Sequence, residues 1–261
     1  MREIGINLPE QNEAAFIREA SSVGFCTVFS ATPSEAQLRV IVDTIAANGI
    51  RYETIHAPFG HINDIWLAGD AGEAMLREMM VTVDRCAQGG VPLAVIHLSS
   101  GKTPPAVSEI GAERYERLVE YAAKKGIKLA FENQRQLENI TWAFRHFADA
   151  AHVGFCYDFG HECCFTPGIE FMPLFGGKLL CTHLHDNDCV QDHDLHMLPF
   201  DGRADFGRAI KRLRENGYQG PLTLEIHRQN SHCYDFMSMR AFLERAALAA
   251  GRLRAMLDGF S

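Results

Sequence analysis

Residues able to ligate a cation or carry a proton recur along the chain. They are His56, His97, Glu132, Asp158 with His161, His183 with His185, and Glu225 with His227, plus a dense group at His193, Asp194 and His196. Imidazole and carboxylate together form the donor set of Zn²⁺, Mn²⁺ and Mg²⁺. Each residue alone has an ordinary structural explanation. A single His near a strand end is commonly a hydrogen-bonded core or loop residue. Glu132 suits a helix N-terminus, and Asp158 or Glu225 suits half of an ion pair. Several carboxylates brought together are costly to bury unless a cation compensates them. The combination therefore points to a metal site, provided the fold delivers these residues to one place.

Alternating patterns along the chain supply such a fold. Short β-rich runs fall at 3–8, 25–30, 51–57, 91–99, 127–133, 152–158, 178–185 and 221–227. Helical spacing covers 10–23, 34–47, 71–88, 106–125, 137–150, a short stretch around 168–176, 205–216 and 238–257. Ser34 reads as an N-cap and Gly49 as the residue that ends the same helix. Eight strand–helix units without a break in composition predict an α/β chain, a single (β/α)8 TIM barrel over 1–261. An open doubly wound sheet is the competing arrangement. In a barrel the active site lies at the C-terminal face, and six consecutive strands end there in His, Glu or Asp. Within 178–185 the alternation puts His183 and His185 on one face, and the outer one, His185, is expected at the mouth. Glu225 and His227 also share a face, with Glu225 deeper. The loop after 51–57 carries Phe59 and Trp66, which either cover a substrate or pack on the rim. Ser99-Ser100-Gly101 reads as a turn, or as a loop whose amides bind a phosphate or hydroxyl.

Composition narrows the class. The 261 residues are 47% hydrophobic and 22% charged, with a net charge of −8. An acidic chain is poorly suited to neutralising phosphate backbones, so nucleic acid is not the expected partner. No apolar run is long enough to span a membrane, and the N-terminus lacks a signal-peptide pattern, so a cytoplasmic location is the expectation. Eight Cys without CxxC spacing read as reduced thiols. GxGxxG, GxxxxGK[ST] and GxSxG patterns are missing from the sequence.

The segments HAPF (56–59), IHLS (96–99), FEN (131–133), DFGH (158–161), HDND (185–188), HxxPxxGxxDF (196–206) and LEIH (224–227) together resemble the xylose isomerase-like barrels. That superfamily includes sugar-phosphate isomerases and epimerases and endonuclease IV. The resemblance implies one divalent metal ion (Mn, Mg, Co or Zn) held by Glu132, Asp158, His185 and Glu225. It implies substrate contacts from His161, and we add His56, His97 and His196 as further substrate-binding candidates. The expected activity is isomerisation or epimerisation of a sugar or sugar phosphate. In it Glu132 and Glu225 pass a proton through an enediolate, while the cation polarises the substrate carbonyl. The alternative implied by the same resemblance is an endonuclease IV-like phosphodiester hydrolase acting on abasic DNA with up to three Zn. There Asp194, His196 and His161, with His56 and His97, become additional metal ligands. Gln134 and Gln191 stand where the hydride-shifting isomerases carry Lys and the ketose 3-epimerases carry Arg. A non-catalytic sugar-binding barrel is a third reading, although binding alone does not need two acid/base carboxylates. Barrel enzymes of this type are often dimers or tetramers, so a homo-oligomer is expected.

Overall fold

The computed structural model describes residues 1–229 and 232–259. Eight strands occur in chain order: β1 (Ile4–Asn7), β2 (Thr27–Ala31), β3 (Arg51–His56), β4 (Leu93–Ile96), β5 (Lys128–Glu132), β6 (Val153–Asp158), β7 (Leu179–His183) and β8 (Leu222–Leu224). The helices are α1 (Glu13–Ser22), α2 (Glu35–Asn48), α3 (Asp70–Gly89), α4 (Glu109–Lys125), α5 (Leu137–His146), α6 (Phe159–Cys164), α7 (Met172–Phe175), α8 (Phe206–Glu215) and α9 (Met239–Asp258). All strand pairings are parallel, in the order β7-β6-β5-β4-β3-β2-β1-β8. A parallel bridge between Leu184 and Leu224 joins the two ends of this ladder. The sheet is thus a nearly closed barrel and not an open doubly wound sheet.

Side-chain parity sets what faces the barrel axis. Leu129, Phe131, Phe155 and Ile96 join the large core between sheet and helices. Leu93, Val95, Ala130, Cys156 and Cys181 form a separate small cluster. Successive strand residues point to opposite faces, so the parity of this inner cluster carries His97, Glu132, Asp158 and His183 inward as well. Two register shifts adjust the alternation. One leaves Glu53 of β3 unpaired between Tyr52 and Thr54, and the other leaves Leu180 of β7 unpaired. A bulge of this kind re-aims the residues beyond it, and the second sets His183 directly opposite Asp158.

Helix ends follow the sequence signals. Ser34 and Gln37 form a reciprocal capping box, and Gly49 closes α2 in the left-handed conformation at φ 63°. The structure adds one helix that the sequence pattern did not suggest. Asp158 accepts the backbone N–H of His161, which turns DFGHECC into α6. Trp66 lies in the core and not over a substrate: it is 2% exposed and its Nε1 donates to the Leu98 carbonyl.

Candidate functional site

The strand ends converge on a cavity of about 550 Å³ whose wall includes His56, Phe59, His97, Glu132, His161, Asp194, His196 and Glu225. That size suits a small molecule.

Two groups of donors lie at its floor. In the first, Glu132 is central. Its Oε2 is 2.5 Å from His97 Nε2 and 3.2 Å from His56 Nε2, and those two ring nitrogens are 3.2 Å from each other. Its Oε1 is 2.8 Å from His183 Nδ1, which is also 3.2 Å from Glu225 Oε2. Glu132, Asp158, His183 and Glu225 each present a donor atom within 4.8 Å of the others. In the second group, Asp194 Oδ2 is 3.3 Å from His161 Nε2 and 3.2 Å from His196 Nε2. His185 stacks on His196 at 4.1 Å, and its Nε2 is 3.1 Å from Asp158 Oδ1. Asp158 thus stands between the groups.

One placement departs from the sequence expectation. His183, not His185, joins Glu132, Asp158 and Glu225, while His185 joins His161, Asp194 and His196. The physical reason is strand length. β7 ends at His183, in register with Asp158, so His185 lies beyond the ladder and turns toward α6. Gly160 makes that turn spatially feasible, because a Cβ there would lie 1.9 Å from His185 Cε1.

The donor chemistry fits a cation. His56, His161 and His196 each direct Nδ1 at a backbone carbonyl, of Ala57, Asn133 and Glu225 respectively, at 2.7 to 3.1 Å. A ring that donates Nδ1–H in this way leaves the Nε2 lone pair free for a metal. Buried Asp158 Oδ2, Asp194 Oδ1, His183 Nε2 and both nitrogens of His185 have no hydrogen-bond partner among the described residues. Buried polar atoms are normally satisfied. Donor–donor separations near 3.2 Å are close to the roughly 3.3 Å between ligands of a tetrahedral cation with 2.0–2.1 Å bonds.

Without a cation, the histidines provide the counter-charge. Burial pushes Glu132 and Glu225 up, but His183 beside both outweighs it and holds them well below the usual carboxylate range. Burial pulls His161 and His196 down. Asp158 and Asp194 reverse this for His161 and Asp194 for His196, lifting them to about 10 and about 9. Burial holds His97 down despite Glu132.

The loop that brings Asp194 and His196 in is organised by Asp186. Its carboxylate accepts backbone N–H groups from Asn187, Phe200, Gly202 and Ala204. His196 itself sits at φ 46°, a left-handed conformation uncommon for a non-glycine residue. Such strain clusters at functional sites. Three further residues belong to the site: sequence reasoning noted Gln134 only as a departure from the family pattern, and missed Phe29 and Phe165. Gln134 Nε2 lies 3.1 Å from His97 Nε2 and 3.2 Å from His161 Nδ1, bridging the two groups. Phe29 stacks on His183 at 4.5 Å, and Phe165 on His161 at 4.5 Å. Strand parity was a usable signal for Phe29 alone.

A profile of the family described as xylose isomerase-like TIM barrel matches residues 17–255. The D-psicose 3-epimerase solved with D-tagatose from Clostridium cellulolyticum H10 superposes with a TM-score of 0.75 at 16% identity, covering 98% of this chain and 99% of that one. The 3-keto-D-glucoside 4-epimerase YcjR from E. coli gives 0.72 at 18% identity, covering 98% and 100%. Protein y4fM of Sinorhizobium fredii is 32% identical over 150 residues, 57% of this chain. Protein MJ1311 of Methanocaldococcus jannaschii is 24% identical over 195 residues, 67% of this chain. These matches span 45% and 65% of the two relatives' own lengths. No helix among the described residues is long and apolar enough to cross a membrane.

Proposed function

The chain belongs to the xylose isomerase-like TIM-barrel family, and from that premise we propose that it is a divalent-metal-dependent isomerase or epimerase of a sugar or sugar phosphate. The observation that carries this reading is the pairing of Glu132 and Glu225 about one atom, His183 Nδ1, at the floor of a cavity of small-molecule size. Glu132, Asp158, His183 and Glu225 would hold the cation. A bound cation supplies Lewis acidity toward a substrate carbonyl, which makes the neighbouring C–H more acidic.

The remaining work falls to the side chains. One of the two Glu removes the proton, and the other, reaching from a different strand, returns one to the neighbouring carbon or the opposite face. Two carboxylates on different sides of one substrate suit such bidirectional transfer. His161, in its protonated form, would donate Nε2–H to a hydroxyl or the developing oxyanion, and His56 and His97 would be further substrate contacts. Phe59 lies over His97 at 4.4 Å and is 47% exposed, so it presents an apolar face to the cavity. The structural likeness to two sugar epimerases supports this reading, as does the whole-chain family match.

A second reading rests on one specific observation, the additional donor group of His161, His185, Asp194 and His196. It would give the site two or three metals and suit hydrolysis of a phosphodiester. Elemental analysis of protein purified without chelator, followed by turnover of ketoses and ketose phosphates, separates the two. About one ion per chain with sugar turnover supports the isomerase. Two or three zinc ions with no sugar turnover would support the hydrolase.

A further inference from the structure

Arg135 is the one Lys or Arg among the described residues that line the cavity. Its Nε donates to Asp192 Oδ1 at 2.7 Å, and Lys102 Nζ lies 2.8 Å from Asp192 Oδ2. Two permanent cations therefore share one carboxylate, which leaves a net positive charge. Asp192 and Phe165 also fix the guanidinium in place. Its centre sits 3.5 Å from the centroid of the Phe165 ring, and that ring stacks on His161 at 4.5 Å and 19°. The order His161, Phe165, Arg135 sets the cation two stacked layers from the donor groups. The terminal nitrogens of Arg135 find no acceptor among the described residues. Ser100 and Gly101 line the same cavity, and their loop is braced by Asn63, which hydrogen-bonds both Ser100 N and Ser100 O.

The cavity thus carries carboxylates and imidazoles at its floor and an oriented guanidinium on one wall, with apolar surface such as Phe59 and Phe165 between them. An uncharged sugar offers such a guanidinium single hydroxyl acceptors but no charge to pair with. A planar fork of N–H donors is instead matched to the two oxygens of a phosphate or carboxylate. We propose, building on the isomerase reading above, that the substrate is an anionic sugar whose phosphate or carboxylate is held by Arg135, with the loop at Ser100 and Gly101 beside it. Arg135 is then a specificity-determining residue that fixes which end of the sugar meets Glu132 and Glu225.

The test uses the metal-loaded full-length protein and three sets of probes: neutral ketoses, the same ketoses with a terminal phosphate, and sugar acids. Inorganic phosphate binding is measured separately by calorimetry. The proposal predicts a kcat/KM preference for one anionic class, and which class answers tells phosphate from carboxylate. Arg135→Met keeps a long unbranched side chain beside Phe165 and removes the charge. It should shrink that preference by roughly ten- to a hundredfold, the value of a charge-assisted hydrogen bond, while Arg135→Lys restores part of it. If Arg135→Met does not fold, loss of phosphate binding in Arg135→Lys relative to wild type serves instead. Turnover of neutral ketoses without preference overturns the anion subsite and leaves the isomerase reading standing. Arg135-dependent phosphate binding with no turnover of any sugar does the reverse. Neither binding nor turnover overturns both.

Discussion

His183 Nδ1 lies 2.8 Å from Glu132 Oε1, although the strands that carry them are separated by a third. The register of β6 with β7 produces this approach, because it sets His183 opposite Asp158. His183→Ala should therefore lower affinity for a first divalent ion by at least about tenfold and turnover by at least roughly a hundredfold. His185→Ala should leave that first ion in place. Metal titration monitored by calorimetry, with each variant against wild type, reads the difference. Equal loss in both variants would contradict the assignment.

Gly160 carries no side chain because His185 occupies the space. Gly160→Ala puts a methyl group 1.9 Å from His185 Cε1 in a region where every neighbour is buried. Overpacking of this kind costs about 1–3 kcal/mol. Denaturant unfolding should show that loss, while the first ion, held without His185, should stay bound. A variant as stable as wild type would mean the loop yields freely.

Glu53 is a buried carboxylate of β3 that does not line the cavity. Its Oε2 accepts from Thr223 at 2.6 Å and Thr27 at 3.1 Å. Burial raises its pKa, more than the two hydroxyls lower it. The folded state therefore keeps this proton to higher pH than the unfolded chain does. Between the two pKa values the folded state binds more protons, so this group's contribution to stability falls as pH rises. Glu53→Gln cannot ionise and should gain on wild type as pH rises from about 5 to about 8, starting from the unfolded carboxyl value near 4.3. Thermal melts of both proteins at those pH values test the sign. A gap that shrinks with rising pH would contradict it.

Asp194 bridges His161 and His196, and its Oδ1 has no partner among the described residues. Asp194→Asn should reduce metal content only if the second donor group holds an ion. Under the one-metal isomerase reading the count per chain stays the same and sugar turnover falls through lost positioning of His161. A drop of one ion per chain would favour the multi-metal reading. Elemental analysis of the two proteins, prepared identically, distinguishes these results.

The barrel, and the convergence of Glu132, Asp158 and Glu225 within it, were legible in the sequence because both rest on strand periodicity. Glu132, Asp158 and Glu225 stand where the alternation puts them, and Ser34 caps α2 as its residue type suggested. The His183 and His185 placement was not legible, since two residues of one parity differ only in where the strand stops. That stop depends on the bulge at Leu180 and the bridge from Leu184 to Leu224. Helix α6 was hidden because its six residues are too few for a periodic signal, and its start rests on the Asp158 cap. Arg135 gave no sequence signal, because a loop residue acquires its partners only from tertiary contacts such as Asp192 and Phe165.

The central claim is that Glu132 and Glu225 exchange a proton with a substrate carbon. Incubating the metal-loaded protein with ketoses and ketose phosphates in deuterated water, and following each C–H by NMR, tests it directly. The account predicts deuterium at one carbon next to the carbonyl in wild type, and loss of that exchange in Glu225→Gln. Exchange that persists in Glu225→Gln, or no exchange with any sugar while a phosphodiester is cleaved, would contradict it.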